Sequence, residues 1–188
     1  MASLFYKRLL LGTLWLFVLP IALDVNKAQE LDARQLIQQR FNSQVGVREA
    51  TGKNDGPEVE AYLGTTDLGP GYPWCAAFIS WVYEQEGYSK PNTPWTPALF
   101  PASRVIWPDK NKTPQTADVF GIYIPSKKRI AHAGFVEKWG TNMVVCVEGN
   151  TNPAGSYEGD GVYRRRRRTK TIHRVADWIT NNNKELKK

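Results

Sequence analysis

The residues in this sequence best suited to chemistry are a cysteine and a histidine, Cys75 and His132. A thiolate can attack an amide carbonyl if a base takes the thiol proton and later gives it to the leaving amine. The chain holds two cysteines and two histidines, so the choice is small. His173 lies among basic residues near the C-terminus, whereas His132 is flanked by small residues that leave room for a substrate. We therefore expect Cys75 to be the nucleophile and His132 its base.

A third group must orient the imidazole, and a strand next to that of His132 should supply it. Glu148 and Asn150 are separated by a single glycine, so both side chains point to one face if the backbone stays extended. Either could hold His132, and Glu148 is the favoured choice. Cys146 shares that face, so a disulfide with Cys75 is an alternative that would abolish the chemistry. Cys75 could also be an ordinary buried thiol.

The spacing of apolar residues predicts three helices before any strand. These helices cover 29–44, 57–63 and 74–86. The apolar positions of the first helix are Ala33, Leu36, Ile37, Phe41 and Val45. The third helix carries Cys75 in its first turn, where the helix dipole lowers the pKa of a thiol and backbone N–H groups can face an oxyanion.

Later segments of the chain have the composition of short strands. The proline-rich stretch 90–114 is predicted to be irregular, with a short helix near 98–105. β-branched and aromatic residues predict strands over 118–124, 131–139, 142–148, 161–171 and 172–179. Helices followed by strands indicate an α+β domain, in which N-terminal helices pack on a C-terminal antiparallel β-sheet.

The N-terminus is typical of an export signal. Two basic residues precede an apolar run over 9–23, which suits the core of a signal peptide and is short for a bilayer span. We expect a signal peptide or uncleaved anchor over 1–28, one catalytic domain over 29–180 and a polar tail over 181–188. The protein would then be exported to the periplasm or the cell exterior, with membrane contact only through its N-terminal segment.

The charge of the chain favours an anionic polymer as partner over nucleic acid. The formal net charge is +7, which suits a cell wall or a membrane surface but is weak evidence for nucleic acid. The arginine run 164–168 is expected to form a solvated or wall-facing edge strand. Asp118, Glu137 and Glu158 are available acidic partners for it. No zinc-type cysteine spacing is present, so we expect no metal and no cofactor.

Three sequence blocks in this order resemble the CHAP family, the cysteine- and histidine-dependent amidohydrolases and peptidases. The blocks are PWCAAF at 73–78, HAGFV at 132–136 and EGN at 148–150. The similarity extends over about 31–162. It implies a papain-like fold and a peptidoglycan hydrolase that cleaves amide bonds, either as an N-acetylmuramoyl-L-alanine amidase or as an endopeptidase.

The resemblance also implies a role for each candidate side chain. Cys75 would be the nucleophile, His132 the base, Glu148 the orienting group and Asn150 a polar helper. Tyr72 and Trp74 flank the nucleophile and are expected to contact substrate, although core packing is the alternative for such aromatic residues. Two rival functions stay open: a non-catalytic wall-binding module with the same fold, and an exported antibacterial toxin with the same chemistry.

Overall fold

The structure is a computed structural model that describes residues 18–108, 112–154 and 159–180, with side chains described from Val25 onward. Within these ranges the fold is α+β, which confirms the predicted class. Its helices are α1 (Val18–Ser43), α2 (Pro57–Gly64) and α3 (Cys75–Gln85). Its strands are β1 (Val105–Trp107), β2 (Val119–Ile124), β3 (Arg129–Lys138), β4 (Met143–Thr151), β5 (Gly161–Arg168) and β6 (Arg174–Ala176).

The strands form one antiparallel sheet with the order β1-β6-β2-β3-β4-β5. The larger apolar cluster joins the helices to this sheet, and in it the rings of Phe41 and Phe135 stack with their centroids 4.9 Å apart. Val136, the next residue along β3, belongs to a second cluster made of sheet residues. Because successive strand residues point to opposite faces, the sheet is apolar on both sides. The central strands β3 and β4 are therefore buried and can hold a side chain rigidly.

Helix α1 differs from its prediction in both its start and its buried face. It begins at Val18 rather than at residue 29, so it runs across the expected boundary after residue 28. Ala33, Ile37 and Phe41 are buried, but Leu36 and Val45 are 38% and 37% exposed. Positions four residues apart form a single stripe, and Leu36 lies about 100° around the helix from Ile37. The apolar spacing identified the helix correctly but overstated the width of its buried face.

Two elements near one end of the sheet differ from their predictions. The segment expected to hold a short helix near 98–105 contains a 3₁₀ turn, Thr96–Leu99, and the strand β1. The second of the two C-terminal strands is reduced to β6, which lies between β1 and β2. A strand of three residues is too short for an alternating pattern to reveal β1 or to mark where β6 begins and ends.

Residues 1–17 of the expected leader and the expected tail 181–188 lie outside the described residues. Among the helices that the structure describes, none combines the length and the apolar character needed to span a bilayer.

Candidate active site

Cys75 is the first residue of α3, as the sequence predicted. The first helical hydrogen bond runs from the Phe78 N–H to the Trp74 carbonyl over 2.8 Å. The N–H groups of a first turn have no partner within their own helix, and the helix dipole favours negative charge there. Cys75 lies at the floor of a cleft of about 270 Å³, where its side chain is only 4% exposed. The thiol therefore combines a favourable helix end with access to one cavity.

The sulfur of Cys75 has polar neighbours from two other elements. Thr96 places its hydroxyl oxygen 3.7 Å from the sulfur, and the backbone of Ala133 on β3 also hydrogen-bonds to the thiol. Burial raises the pKa of Cys75, but the hydrogen-bonding and positive charge of His132, together with hydrogen bonds from Thr96 and Ala133, outweigh burial. The net result is a pKa below the ordinary value of a thiol. This is the behaviour expected of a nucleophilic cysteine.

His132 on β3 connects the thiol to a carboxylate on β4. The Nε2 atom of His132 lies 2.8 Å from Oε2 of Glu148, and both side chains are fully buried. Since Glu148 occupies Nε2, the contact with Cys75 is left to Nδ1. Burial lowers the pKa of His132, yet hydrogen bonds to Cys75 and Glu148 and the charges of both raise it to about 9. The three side chains thus form a continuous chain from nucleophile to base to orienting group.

Glu148 is held by more than the imidazole. Arg167 on β5 donates to it from Nε over 2.6 Å and from Nη2 over 2.5 Å. The Cys146 thiol donates to Oε1 over 3.0 Å. Burial raises the pKa of Glu148, but hydrogen bonds from Arg167 and His132, with their positive charges, hold it well below its usual range. The carboxylate is therefore ionised although it has no exposed surface.

Neither cysteine forms a disulfide. Cys75 and Cys146 are both free and buried, which removes the alternative in which they pair. Burial and the nearby Glu148 carboxylate raise the pKa of Cys146 well above its ordinary value. A thiol that stays protonated is a poor nucleophile, so Cys146 does not compete with Cys75.

Asn150 does not reach His132, because the strand stops being extended before it. Its backbone has φ +55°, a left-handed conformation, and the pairing of β4 with β5 shifts between Glu148 and Thr151. The premise that Asn150 shares the face of Glu148 is therefore wrong. Its Oδ1 instead accepts the backbone N–H of Trp74 over 3.2 Å, just before α3. Asn150 fixes the start of the helix that carries the nucleophile.

The two aromatic residues expected to contact substrate lie in different environments. Tyr72 is 54% exposed and lines the cleft beside Cys75. Trp74 has no exposed surface, its ring packs against that of Tyr62 with centroids 5.5 Å apart, and its Nε1–H donates to Glu49 over 2.9 Å. Trp74 is thus a core residue beneath the site and does not line the cleft.

Two glycines make room for the site. A Cβ atom on Gly134 would lie 2.7 Å from Cγ of Glu148. A Cβ atom on Gly149 would lie 2.6 Å from Cζ3 of Trp74. Both distances are far shorter than real Cβ contacts, so only glycine fits at either position without displacing its neighbours. Gly134, two residues after His132, thus makes space for Glu148 and not only for a substrate.

The arginine run occupies β5, which is an edge strand of the sheet, as expected. Arg164 pairs with Glu137 over 2.7 Å, one of the three predicted partners. Asp118 is bound instead to Arg34 of α1 over 2.8 Å, and Glu158 lies outside the described residues. The pairing of Arg167 with Glu148 was not predicted.

Sequence reasoning missed three residues around the site: Thr96, Arg129 and Arg167. Thr96 and Arg129 line the same cleft as Cys75 but come from segments without a recognisable motif. The alternation of β5 gave a signal for Arg167, because every second arginine of an edge strand faces inward and needs an acidic partner. The correct partner follows only from the strand register.

No protein family, curated protein or solved structure matches this chain. In the described part of the chain, no group of three or more His, Cys, Asp or Glu residues is placed to hold a metal ion.

Proposed function

We propose that this chain is a cysteine amidohydrolase with a papain-like fold, which cleaves an amide bond of peptidoglycan with Cys75, His132 and Glu148. One observation carries the proposal. The thiol at the start of α3 lines a cleft and interacts with an imidazole that lowers its pKa, and Nε2 of that imidazole lies 2.8 Å from a buried carboxylate. A buried core histidine or an inert buried thiol would account for one of these features but not for their combination.

The proposed reaction has two steps. The Cys75 thiolate attacks the amide carbonyl, and the His132 imidazolium gives its Nδ1 proton to the leaving amine. This step leaves an acyl group on the sulfur as a thioester. His132 then takes a proton from a water molecule, and the resulting hydroxide attacks the thioester. The carboxylic acid is released, and the thiolate of Cys75 and the imidazolium of His132 are regenerated. Glu148 accepts the Nε2–H throughout, which keeps the other nitrogen directed at the sulfur.

Charge develops on the carbonyl oxygen in both steps and needs donors. The backbone N–H of Cys75 belongs to the first turn of α3, where it is directed away from the helix toward its N-terminal end. Such a group stabilises an oxyanion that forms beside the sulfur. Tyr72 lines the same cleft and is a candidate for a second donor through its hydroxyl.

The substrate class is inferred from three features together. The blocks around Cys75, His132 and Glu148 resemble those of wall hydrolases, and the leader segment predicts export to the compartment where peptidoglycan lies. The cleft also offers exposed aromatic surface from Tyr72 and Trp95, which suits sugar rings and peptide side chains. Both an amidase that cuts the sugar–peptide link and an endopeptidase that cuts the peptide are consistent with this cleft.

Digestion of purified peptidoglycan tests the proposal. Wild-type protein should release new amine and carboxyl termini, which mass spectrometry of the fragments identifies and which decide between amidase and endopeptidase. Cys75→Ala and His132→Gln should abolish the release, whereas His173→Gln, which changes an exposed histidine, should not. Release that persists in folded Cys75→Ala protein would contradict the thiol mechanism. A wild-type protein that binds wall without cutting it would support the non-catalytic module.

A further inference from the structure

We propose that Arg167 is a positioning residue of this site, which clamps Glu148 against His132 and supplies the buried positive charge that balances the catalytic groups. The inference rests on the proposed Cys75–His132–Glu148 site. It assigns a role to one arginine of the run 164–168, which the reaction itself does not use.

The contact between Arg167 and Glu148 has the geometry of a clamp. Nε and Nη2 of the guanidinium each bind a different carboxylate oxygen, over 2.6 and 2.5 Å. The side chain of Arg167 is 10% exposed and that of Glu148 is 0% exposed. A planar guanidinium that binds both oxygens fixes the orientation of the carboxylate, which a lysine cannot do. One oxygen of this fixed carboxylate is the acceptor of His132 Nε2.

The register of the sheet explains why only some arginines of the run face inward. Arg167 pairs with Val144 and Arg165 pairs with Cys146, so both lie on the face that carries Glu148. Residues 164, 166 and 168 are exposed, whereas 165 and 167 are half-buried. Arg165 donates to the backbone carbonyl of Asn152, which leaves Arg167 as the arginine bonded to the carboxylate.

The charges around Glu148 balance only if Arg167 is present. His132 faces it from β3, the Cys146 thiol from its own strand, and Arg167 from β5. In the reactive form the thiolate and the carboxylate are negative, and the imidazolium and the guanidinium are positive. Removal of the guanidinium would leave one net negative charge in a buried site, and a buried uncompensated charge is strongly unfavourable.

Loss of the Arg167 charge should therefore move the titration of Cys75 to higher pH. A unit charge roughly 10 Å away at an effective dielectric constant of about 20 shifts a pKa by about one unit. Arg167→Gln should raise the midpoint of Cys75 alkylation by about that amount. Arg167→Lys keeps the charge, so its midpoint of Cys75 alkylation should stay near that of the wild type. The lysine cannot bind both oxygens of Glu148, and this loss should reduce amide hydrolysis by about tenfold or more. Arg166→Gln removes an exposed charge from the same strand and serves as the matched control.

The measurement is the rate of alkylation by iodoacetamide between pH 5 and 10, with Cys75 identified by peptide mass spectrometry on the full chain. The proposal is supported if Arg167→Gln shifts the midpoint upward and neither Arg166→Gln nor Arg167→Lys does. It is overturned if Arg167→Gln leaves the midpoint unchanged, or if Arg166→Gln shifts it as far.

If Arg167→Gln does not fold, the hydrolysis rate and the alkylation midpoint of Arg167→Lys together test the proposal. Reduced hydrolysis at an unchanged midpoint supports the clamp, and wild-type hydrolysis overturns it. Alkylation needs no substrate, so a wall that resists digestion would count against the proposed substrate but not against the clamp.

A second, independent observation concerns the rim of the cleft. We infer that Arg129 binds a free carboxylate of the substrate next to the amide that Cys75 attacks. Its Cζ atom lies 4.1 Å from the centre of the Trp95 ring, and both residues line the cleft that contains Cys75. Lys127 lines the cleft as well, and the lining residues within the described ranges include no Asp or Glu. The local field therefore favours an anionic group.

The geometry of Arg129 suits a carboxylate in particular. The guanidinium lies over the ring of Trp95, and Nη1 donates to the Ile130 carbonyl over 3.2 Å. Stacking on an aromatic face leaves the edges of a guanidinium able to donate, which is how such groups bind carboxylates in pairs of hydrogen bonds. The stem peptides of peptidoglycan carry free carboxylates, so this inference deepens the proposed function by naming the group that is recognised.

Paired peptides that differ only in a carboxylate or a carboxamide test this subsite. Cys75→Ala protein should bind the carboxylate form about 10- to 100-fold more tightly by calorimetry, the size of a charged hydrogen bond. Adding Arg129→Gln should remove that preference, and adding Lys128→Gln, an exposed neighbour, should not. Equal affinity for the two peptides, or a preference that survives Arg129→Gln, would overturn the assignment. Because binding is measured without turnover, this result is separate from the test of the proposed reaction.

Discussion

Asn150 offers the sharpest test of how the sheet positions the nucleophile. Its side chain accepts the N–H of Trp74 over 3.2 Å and donates to Asn54 Oδ1 and to the Gly159 carbonyl, each over 3.0 Å. Its backbone is left-handed, with φ +55°. Replacements at this position can therefore separate the hydrogen bonds from the backbone conformation.

The expected free energies follow from these two features. Asn150→Gly keeps the backbone conformation without strain but loses the three hydrogen bonds. Each bond contributes about 1 kcal/mol, so the loss of all three should cost about 3 kcal/mol. Asn150→Ala loses the same bonds and adds about 1 kcal/mol for a left-handed residue with a Cβ atom. We therefore expect losses of about 3 and about 4 kcal/mol in the free energy of unfolding.

The free energy of unfolding of Asn150→Asp should lie between that of the wild type and that of Asn150→Gly. It retains an acceptor for the Trp74 N–H, and its charge is favourable at the start of α3. It replaces the donor to Asn54 and Gly159 by a second acceptor, which loses both of those bonds. The Cys75 thiol should keep its low pKa in this variant, because the first turn of α3 stays fixed.

Urea unfolding followed by tryptophan fluorescence measures the free energy of unfolding. The pH dependence of Cys75 alkylation measures the pKa of the thiol. The order of stability should be wild type, Asn150→Asp, Asn150→Gly and then Asn150→Ala. If Asn150→Gly were as stable as the wild type, the three hydrogen bonds would not anchor α3. If Asn150→Ala and Asn150→Gly were equally stable, the left-handed backbone conformation at residue 150 would not destabilise a residue with a Cβ atom.

Three further predictions concern the site. In His132→Gln the alkylation midpoint of Cys75 should rise above its wild-type value, because only the hydrogen bonds of Thr96 and Ala133 then oppose the effect of burial on the thiol pKa. An unchanged midpoint would show that the imidazole does not act on the sulfur. The rate of wall-peptide hydrolysis should fall at alkaline pH with a midpoint near pH 9, because the His132 imidazolium there loses the proton that it gives to the leaving amine. A pH–rate profile that stays flat to pH 10 would contradict this role of His132. Gly134→Ala should lower the free energy of unfolding, measured in urea, by about 1–3 kcal/mol, because its Cβ would lie 2.7 Å from Glu148 Cγ. Gly64→Ala is the control and should not destabilise the protein, because its new Cβ meets nothing within 4 Å.

The parts of the site that the sequence predicted depend on local rules. A helix start is visible as an apolar period of three and four residues that follows a Gly- and Pro-rich loop, so the position of Cys75 in α3 could be predicted. The strand of His132 was equally visible, because β3 is long and composed of residues that suit a buried strand. Glu148 follows from alternation along β4, which holds up to that residue.

The parts that were missed depend on relations between strands. The pairing of Arg167 with Glu148 requires the register of β4 and β5, and no short-range pattern encodes that register. Trp95 precedes the 3₁₀ turn Thr96–Leu99 and Arg129 begins β3, so only tertiary packing brings these two residues together. Local preferences predict an element, whereas long-range packing decides which side chains meet across elements.

The conformation of residues 148–150 follows from packing against α3. Gly149 lies against the buried ring of Trp74 so closely that no side chain fits, and the chain must turn there. Asn150 accommodates the turn because asparagine tolerates the left-handed conformation better than most residues. Two residues that extended backbone would direct to the same face therefore act in different directions. Glu148 holds the base, and Asn150 holds the start of the helix that carries the nucleophile. One short segment of β4 therefore contacts both the base and the start of the helix that carries the nucleophile, so a change in this segment should alter the distance between Cys75 and His132.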